Sequence, residues 1–287
     1  MLKSKFPLFL LLFCSLIVFL NALTFGQTST EVKTAPPAAQ DNDIREILLQ
    51  TRNTLTKASP QTVAAMNNAT QLMNQGKCSE AIASFTKIIK SNPGLETAYN
   101  NRGHCYNQLG RTDLAIQDFN ISLKISKTAI TYSNRALAYA QNGNFDAALA
   151  DLNKAIQLSP KDSLLYNNRG DLFSRMGRFD DALAEFNKAI ALHPTKAFYF
   201  SNRGFAYFKK GLMDRAIEDY DEAIRLDSNL SMAYHNRGTA RVMQQDFERA
   251  IKDFDKAIQL NDRFSMAYTN RAVAFSHLTL FDKALDD

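Results

Sequence analysis

From residue 62 onward, apolar residues recur with the three-to-four-residue spacing of amphipathic helices, and this pattern itself repeats. An alanine followed by an aliphatic residue returns every 33 or 34 residues, from Ala81-Ile82 to Ala284-Leu285. Four residues after the first six of these alanines stand Phe85, Phe119, Leu152, Phe186, Tyr220 and Phe254. Turn glycines divide the intervals: Gly76, Gly110, Gly143, Gly177 and Gly211. The pattern predicts an all-α chain of repeated helical hairpins.

Each predicted first helix from the second repeat onward contains an Asn-Arg pair, again spaced by 33 or 34 residues. Asparagine is a poor residue for a helix interior, because its amide competes with the backbone for hydrogen bonds. Its return at a fixed place therefore indicates a role that offsets this cost. The pairs are Asn101-Arg102, Asn134-Arg135, Asn168-Arg169, Asn202-Arg203, Asn236-Arg237 and Asn270-Arg271.

Other positions share the same register, counted from repeat starts at Thr62, Glu96, Ala129, Ser163, Ala197, Ser231 and Ser265. An aromatic residue occupies position 4 (Tyr99, Tyr132, Tyr166, Phe200, Tyr234, Tyr268), and position 27 holds Ala155, Ala189, Ala223 and Ala257. Over about residues 62–287 these motifs resemble the tetratricopeptide repeat family. The resemblance implies a right-handed α-solenoid of stacked helix-turn-helix units, seven here with the last incomplete. Their first helices are expected to line a concave groove.

Arginine at position 7 and an acid at position 23 occur together in repeats two to seven. The first repeat has Asn68 and Ser84 instead, so the two charges disappear together. This behaviour predicts ion pairs between the two helices of each repeat, with the arginine stem packed on apolar surface. The predicted structural pairs are Arg102–Asp118, Arg135–Asp151, Arg169–Glu185, Arg203–Asp219 and Arg237–Asp253.

Asparagine at position 6 behaves differently, because the first repeat keeps it although it lacks the charged pair. In the family this position faces the groove, and a ladder of asparagines implies recognition of an extended peptide through its backbone. A primary amide fits that task, since it both donates and accepts hydrogen bonds. The alternative is that each amide bonds the backbone of a neighbouring helix and only shapes the superhelix. The ladder comprises Asn67, Asn101, Asn134, Asn168, Asn202, Asn236 and Asn270.

Further groove positions of the family are apolar in the last three repeats. Aromatic and methionine side chains on an exposed face suggest anchors for a partner, whereas the alternative is burial against the next helix. Position 5 carries no lysine, so the clamp with which one family subtype holds acidic chaperone tails is absent. The predicted anchors are Phe198, Phe205, Phe208, Met232, Val242 and Met266.

The N-terminal residues have the pattern of an export signal. Lys3 and Lys5 precede an apolar run from Phe6 to Leu20. Residues 1–26 are therefore expected to be a cleaved signal peptide or an uncleaved signal anchor, and either one exports the repeats. Residues 27–40 are expected to form a flexible linker, and residues 41–59 a capping helix region. The expected location is periplasmic or secreted, or membrane-anchored outside the cytoplasm.

Charge and motif content exclude several function classes. Loss of the two lysines with the signal lowers the net charge from +5 to +3, which gives little support to nucleic-acid binding. The four histidines lack a Cys or carboxylate at metal-ligand spacing, and no catalytic motif or cofactor fingerprint occurs. Cys78 and Cys105, the thiols left after cleavage, can form a disulfide in an oxidising compartment. We expect neither metal nor cofactor.

These observations favour an exported, non-enzymatic scaffold that binds an extended peptide or protein segment of unknown identity. One alternative is the substrate-presenting repeat region of a larger enzyme such as a glycosyltransferase. Another is a structural subunit that self-associates through an uncapped C-terminal end.

Overall fold

The computed structural model describes residues 58–287, where every regular element is a helix. Fourteen helices occur in this range. They are α1 Pro60–Asn74, α2 Cys78–Ser91, α3 Glu96–Gln108, α4 Thr112–Ile125, α5 Ala129–Gln141, α6 Phe145–Leu158, α7 Ser163–Arg175, α8 Phe179–Leu192, α9 Ala197–Lys209, α10 Met213–Leu226, α11 Ser231–Met243, α12 Phe247–Leu260, α13 Ser265–His277 and α14 Phe281–Asp286. None of these helices has the length and apolar character needed to cross a bilayer. The predicted signal, the linker and residues 41–57 of the capping region lie outside the described residues.

The described chain divides into two compact units, residues 58–172 and residues 173–287, with the boundary inside α7. Each unit consists of helical hairpins in series: α1 packs on α2, α3 on α4 and α5 on α6 within residues 58–172, and α9 on α10, α11 on α12 and α13 on α14 within residues 173–287. Three residues separate the two helices of every hairpin. Four residues separate successive hairpins, except at 126–128, where the connection has three.

The turn within each hairpin is closed by backbone hydrogen bonds around a left-handed residue. After α1, the Gly76 N–H donates to Met73 O and the Lys77 N–H donates to Leu72 O, which satisfies two carbonyls at the helix end. Gly76 has a φ of 74°, a value that glycine adopts without steric cost. Gln245 and Thr279 replace the glycine in the last two hairpins and adopt the same conformation, with φ of 64° and 61°.

Close contact between the helices of a hairpin depends on a small residue opposite an aromatic ring. At Gly204 an added Cβ would lie 2.9 Å from Cε1 of Tyr220, and at Gly238 it would lie 2.7 Å from Cε1 of Phe254. Tyr220 and Phe254 are themselves fully buried. The absence of a side chain at Gly204 and Gly238 therefore leaves the space into which the ring of the following helix packs.

Successive hairpins stack so that the first helices lie next to one another. Within residues 58–172, α1 contacts α3 and α3 contacts α5; within residues 173–287, α9 contacts α11 and α11 contacts α13. Within residues 58–172, α2 also packs against α3 and α4 against α5; within residues 173–287, α8 packs against α9, α10 against α11 and α12 against α13. The first helices thus form the inner face of each unit. The predicted α-solenoid of stacked helix-turn-helix units is confirmed.

Candidate functional site

In five of the six Asn-Arg pairs, the arginine bonds the second helix of its own hairpin. Arg102 donates from Nε to Asp118 Oδ2 and from Nη2 to Asp118 Oδ1, both across 2.8 Å. Because this hydrogen-bonded carboxylate stabilises the guanidinium, the pKa of Arg102 is raised. The same two-point contact joins Arg135 to Asp151, Arg203 to Asp219, Arg237 to Asp253 and Arg271 to Asp287. Arg169 and Glu185 belong to different units, and their pairing stays a prediction.

The remaining guanidinium nitrogen reaches the second helix of the preceding hairpin. Arg102 Nη1 donates to Thr86 Oγ1 across 3.0 Å. Nη1 of each following arginine makes the equivalent contact at 2.6 or 2.7 Å: Arg135 to Asn120, Arg169 to Asn153, Arg203 to Asn187, Arg237 to Asp221 and Arg271 to Asp255. One side chain therefore joins three helices. We call this arrangement the arginine clamp.

Aromatic rings flank the clamp. The guanidinium carbon of Arg102 lies 5.8 Å from the ring centres of Tyr99 and Tyr106, at positions 4 and 11 of its repeat. Such cation–π contacts add to the ion pair and hold the guanidinium plane in place. In the sixth repeat Arg241 takes the place of the second ring and instead donates to Asp253 across 2.7 Å. The repeated arginine thus has a structural role, which is to hold three helices together through the clamp.

Three asparagines of the ladder bond the first helix of the preceding hairpin. Asn134 Nδ2 donates to Asn100 Oδ1 across 3.1 Å, and Asn168 Nδ2 donates to Ser133 Oγ across 3.2 Å. Asn270 Nδ2 donates to Thr239 Oγ1 across 3.2 Å. We call these contacts the amide latch. These contacts agree with the alternative in which the ladder shapes the superhelix. The acceptor, however, is a side chain and not the helix backbone.

Exposure varies along the ladder. Asn67 is exposed, Asn101 and Asn270 are buried, and the members between them are partly exposed. The partly exposed members are Asn134, Asn168, Asn202 and Asn236. The latch occupies one amide N–H of Asn134 and of Asn168.

A pocket of about 100 Å³ opens between α5 and α7 on the inner face of residues 58–172. Leu137, Leu152 and Leu172 form its apolar wall. Its polar lining comes from Ser133, Asn134, Asn168 and Asp171. Two ladder asparagines therefore meet in one cavity, and within residues 58–287 the amide oxygen of neither has a hydrogen-bond donor. The pocket is our candidate binding site.

The predicted apolar anchors divide into two groups. Phe208 is 9 % exposed and packs with Tyr220 and Ala240, while Val242 is 7 % exposed and packs with Phe254 and Val273. The prediction that these two side chains line an exposed groove is wrong, because the next hairpin covers them. The other four predicted anchors, Phe198, Phe205, Met232 and Met266, are partly exposed.

Phe198 has an aromatic neighbour and Phe205 a charged one. The Phe198 ring meets Tyr199 edge-on, with 4.4 Å between centres, and the Lys209 ammonium lies 5.4 Å from the Phe205 ring centre. Met232 and Met266 pack at the border of the cluster formed by Ala257, Phe264 and Ala267. Their methionine stems thus contribute to packing as well as to the surface.

Cys78 and Cys105 are free thiols, buried in the same apolar cluster. The Cys78 thiol donates to Gln108 Oε1 across 2.8 Å. Burial, together with the neighbouring Cys78, raises the pKa of the Cys105 thiol, which keeps it protonated and unreactive. No disulfide joins the two thiols in this structure, and the disulfide that an oxidising compartment would allow stays a prediction.

The histidine at position 5 of the sixth repeat is buried. His235 lies between two phenylalanines, with ring centres 5.7 Å from Phe254 and 4.7 Å from Phe264. Burial lowers its pKa to about 4, so the ring is neutral at pH 7. Within residues 58–287 no group of three or more His, Cys, Asp or Glu side chains is arranged to hold a metal ion.

Comparison with models of known protein families identifies the family to which this chain belongs. Models described as tetratricopeptide repeat match residues 94–161 and 127–195, then 167–231, then 231–264, and together they cover more than half of the chain. The chain belongs to the tetratricopeptide repeat family. Its fold is that of a protein–protein interaction scaffold, and its homologues are typically non-catalytic.

Solved structures share this fold at low identity. A tetratricopeptide repeat protein from Parabacteroides merdae is 24 % identical with a TM-score of 0.64, and the match covers 82 % of this chain and 94 % of that one. PilW, a type IV pilus biogenesis factor, is 19 % identical with a TM-score of 0.65, and the match covers 73 % and 97 %.

A larger assembly subunit is also similar. One chain from the structure of the APC/C hetero-tetramer Cut9-Hcn1 is 21 % identical, with a TM-score of 0.67. The match covers 80 % of the present chain and 45 % of that longer chain. No curated protein sequence matches this tetratricopeptide repeat chain. At these identities the structural matches establish the fold alone.

Proposed function

We propose that this protein is an exported, non-catalytic scaffold whose inner face binds an extended peptide segment of a partner protein. The observation that carries the proposal is the pocket between α5 and α7, where the side chains of Asn134 and Asn168 meet. Their amide oxygens are acceptors suited to the N–H groups of a peptide backbone. An extended backbone offers such donors irrespective of its side chains.

Leu137 provides a direct test of peptide binding, because it lies in the pocket and is 43 % exposed. A photo-crosslinking amino acid at Leu137 should capture a partner polypeptide in cells that express the full chain. The matched control is the same amino acid at Leu158, which is 50 % exposed at the end of α6 and outside the pocket. Equal capture from both positions would contradict binding at the inner face.

Export rests on the sequence of residues 1–26, with Lys3 and Lys5 before the apolar run. A reporter that is active only outside the cytoplasm, fused after Asp287, should be active with the full chain. Deletion of residues 2–26 should abolish that activity while leaving the amount of protein unchanged. Activity that survives the deletion would refute the export signal.

A further inference from the structure

The pocket between α5 and α7 has an apolar interior. Leu152 and Leu172 are almost completely buried, so they lie at its inner end, whereas Leu137 is 43 % exposed and lies at its opening. Ala136 and Ala140 complete the apolar lining. Exposed apolar surface of this kind is stabilised when a ligand removes it from water. The interior therefore favours a ligand group made of carbon and hydrogen.

Part of the polar lining is already engaged within the protein. Ser133 Oγ accepts a hydrogen bond from Asn168 Nδ2, and Asn134 Nδ2 donates to Asn100. Asp171 is likewise engaged in an interaction of its own, so its carboxylate does not await a cation. Among the acceptors, the amide oxygens of Asn134 and Asn168 receive no donor within residues 58–287. Two neutral acceptors suit the N–H groups of a main chain and give no reason for a charged ligand group.

The size of the pocket limits the group that it accepts. Its volume of about 100 Å³ corresponds to roughly three water molecules, a space that a short branched aliphatic side chain fills. An alanine side chain would leave part of this space empty and forfeit contacts with the lining. The indole of tryptophan exceeds the space, so α5 and α7 would have to move apart to admit it. Leucine, isoleucine and valine come closest to the volume.

We infer that the partner segment places an aliphatic side chain, that of leucine, isoleucine or valine, in this pocket against Leu137 and Leu172. Main-chain N–H groups of the same segment donate to the amide oxygens of Asn134 and Asn168. The pocket thus selects one side chain, whereas the amides accept any sequence. This inference rests on the proposed peptide-binding function and names the residue class that the site recognises.

The test measures the affinity of the full chain for fluorescently labelled 11-residue peptides by fluorescence anisotropy. The peptides share a Ser-Ala-Thr host sequence and differ only at the central residue, which is leucine, alanine, lysine or tryptophan. We expect the leucine peptide to bind roughly tenfold more tightly than the alanine peptide, because its additional carbons are buried. The lysine peptide, which adds a charge, and the tryptophan peptide, which exceeds the volume, should both bind more weakly than the leucine peptide.

Filling the pocket from within the protein gives the second test. Ala140→Leu adds a larger side chain to the lining and should remove the preference for leucine over alanine. Ala150→Leu is the matched control, since Ala150 is an exposed alanine of α6 outside the pocket. Leu137→Ser should reduce the same preference by removing apolar surface. Because it changes an exposed position, it keeps the test available if the side chain added at Ala140 destabilises the fold.

The possible outcomes separate this inference from peptide binding itself. Equal affinity for the leucine and alanine peptides would overturn the inference and leave peptide binding intact. Tightest binding of the lysine peptide would overturn it too, as would a leucine preference that survives both Ala140→Leu and Leu137→Ser. If none of the four peptides binds, the inference is overturned. Capture of a partner in cells from Leu137, compared with Leu158, then decides whether peptide binding at the inner face fails as well.

Discussion

Asn134 donates an amide hydrogen bond to Asn100, the residue 34 positions earlier, and so joins the first helices of two consecutive hairpins. Asn100 is buried, and truncating Asn134 removes its hydrogen-bond donor. We therefore expect Asn134→Ala to cost about 1–2 kcal/mol of unfolding free energy. A double-mutant cycle with Asn100→Ala should give a coupling of roughly 0.5–1 kcal/mol. Asn67→Ala is the control, because Asn67 is the exposed ladder member. No coupling in denaturant unfolding would remove the latch from the account.

The arginine clamp predicts an asymmetry between single and double variants. Arg135→Met leaves the Asp151 carboxylate buried without its partner, which should cost about 3–5 kcal/mol. Arg135→Met combined with Asp151→Leu should recover much of that loss, because no buried charge remains. Arg225→Met, which breaks the surface pair with Glu222, should leave melting unchanged. A double variant as unstable as the single one would contradict this account of the clamp.

The two turns without glycine are sites where stability can be gained. Gln245 and Thr279 adopt the left-handed conformation that side chains with a Cβ disfavour by about 1–2 kcal/mol. Glycine's greater freedom in the unfolded chain offsets part of this cost, so Gln245→Gly and Thr279→Gly should each stabilise by up to about 1 kcal/mol. Gly211→Ala should have the opposite effect, since Gly211 has a φ of 77°. Thermal unfolding of the three variants measures both signs.

Because α9 and α10 approach each other closely at Gly204, replacing one hydrogen atom there by a methyl group should destabilise the folded protein. In Gly204→Ala the new Cβ would lie 2.9 Å from the Tyr220 ring, so the ring or the helix must move, at a cost of about 1–3 kcal/mol. Gly94→Ala is the matched control, because the space around Gly94 is open and its φ is not left-handed. Urea midpoints distinguish the two, and equal midpoints would contradict the packing argument.

His235 predicts a pH dependence of stability. Its pKa of about 4 in the folded protein lies below the ordinary value of 6.5, so the unfolded chain takes up the proton first as the pH falls. The stabilisation is fully present above pH 6.5 and is lost progressively down to pH 4, by about 3 kcal/mol in total. His235→Phe should flatten this part of the unfolding free energy measured between pH 7.5 and 4.5. A variant with the same slope as the wild type would exclude His235 as the cause.

Sequence reasoning could predict the hairpins and one half of the clamp. Position 7 and position 23 change together in the first repeat, and two charges that disappear together predict a contact. The partner of the third nitrogen was missed, because position 25 varies among Thr86, the asparagines at 120, 153 and 187, and two aspartates. All of these side chains carry an oxygen that can accept a hydrogen bond, and this shared property was the signal in the sequence that could have predicted the contact. Identity at a position is easier to notice than a shared function of different side chains.

The division of the predicted anchors could not be read from the sequence. Phe208 and Phe205 are both phenylalanines on one helix, but Phe208 packs against Ala240 of the next hairpin while Phe205 stays partly exposed. The difference depends on how closely consecutive first helices approach, which is a property of the stacked hairpins together. The pocket likewise forms only because α5 and α7 lie side by side. Its four polar residues come from two different repeats, so the sequence pattern does not show that they meet.

The three-residue connection at 126–128 shows where this chain accommodates a change of length. One residue is missing there, yet Arg135 still reaches Asn120 and Asp151 as its counterparts do elsewhere. A deletion inside α4 or α5, the helices on either side of this connection, would instead rotate the later side chains of that helix by about 100° and separate the clamp from its acceptors. Over evolutionary time, insertions and deletions should thus be tolerated between hairpins and removed by selection within them. Whole-repeat duplication is the other change that preserves the register, and it gives such a chain a simple route to a longer binding surface.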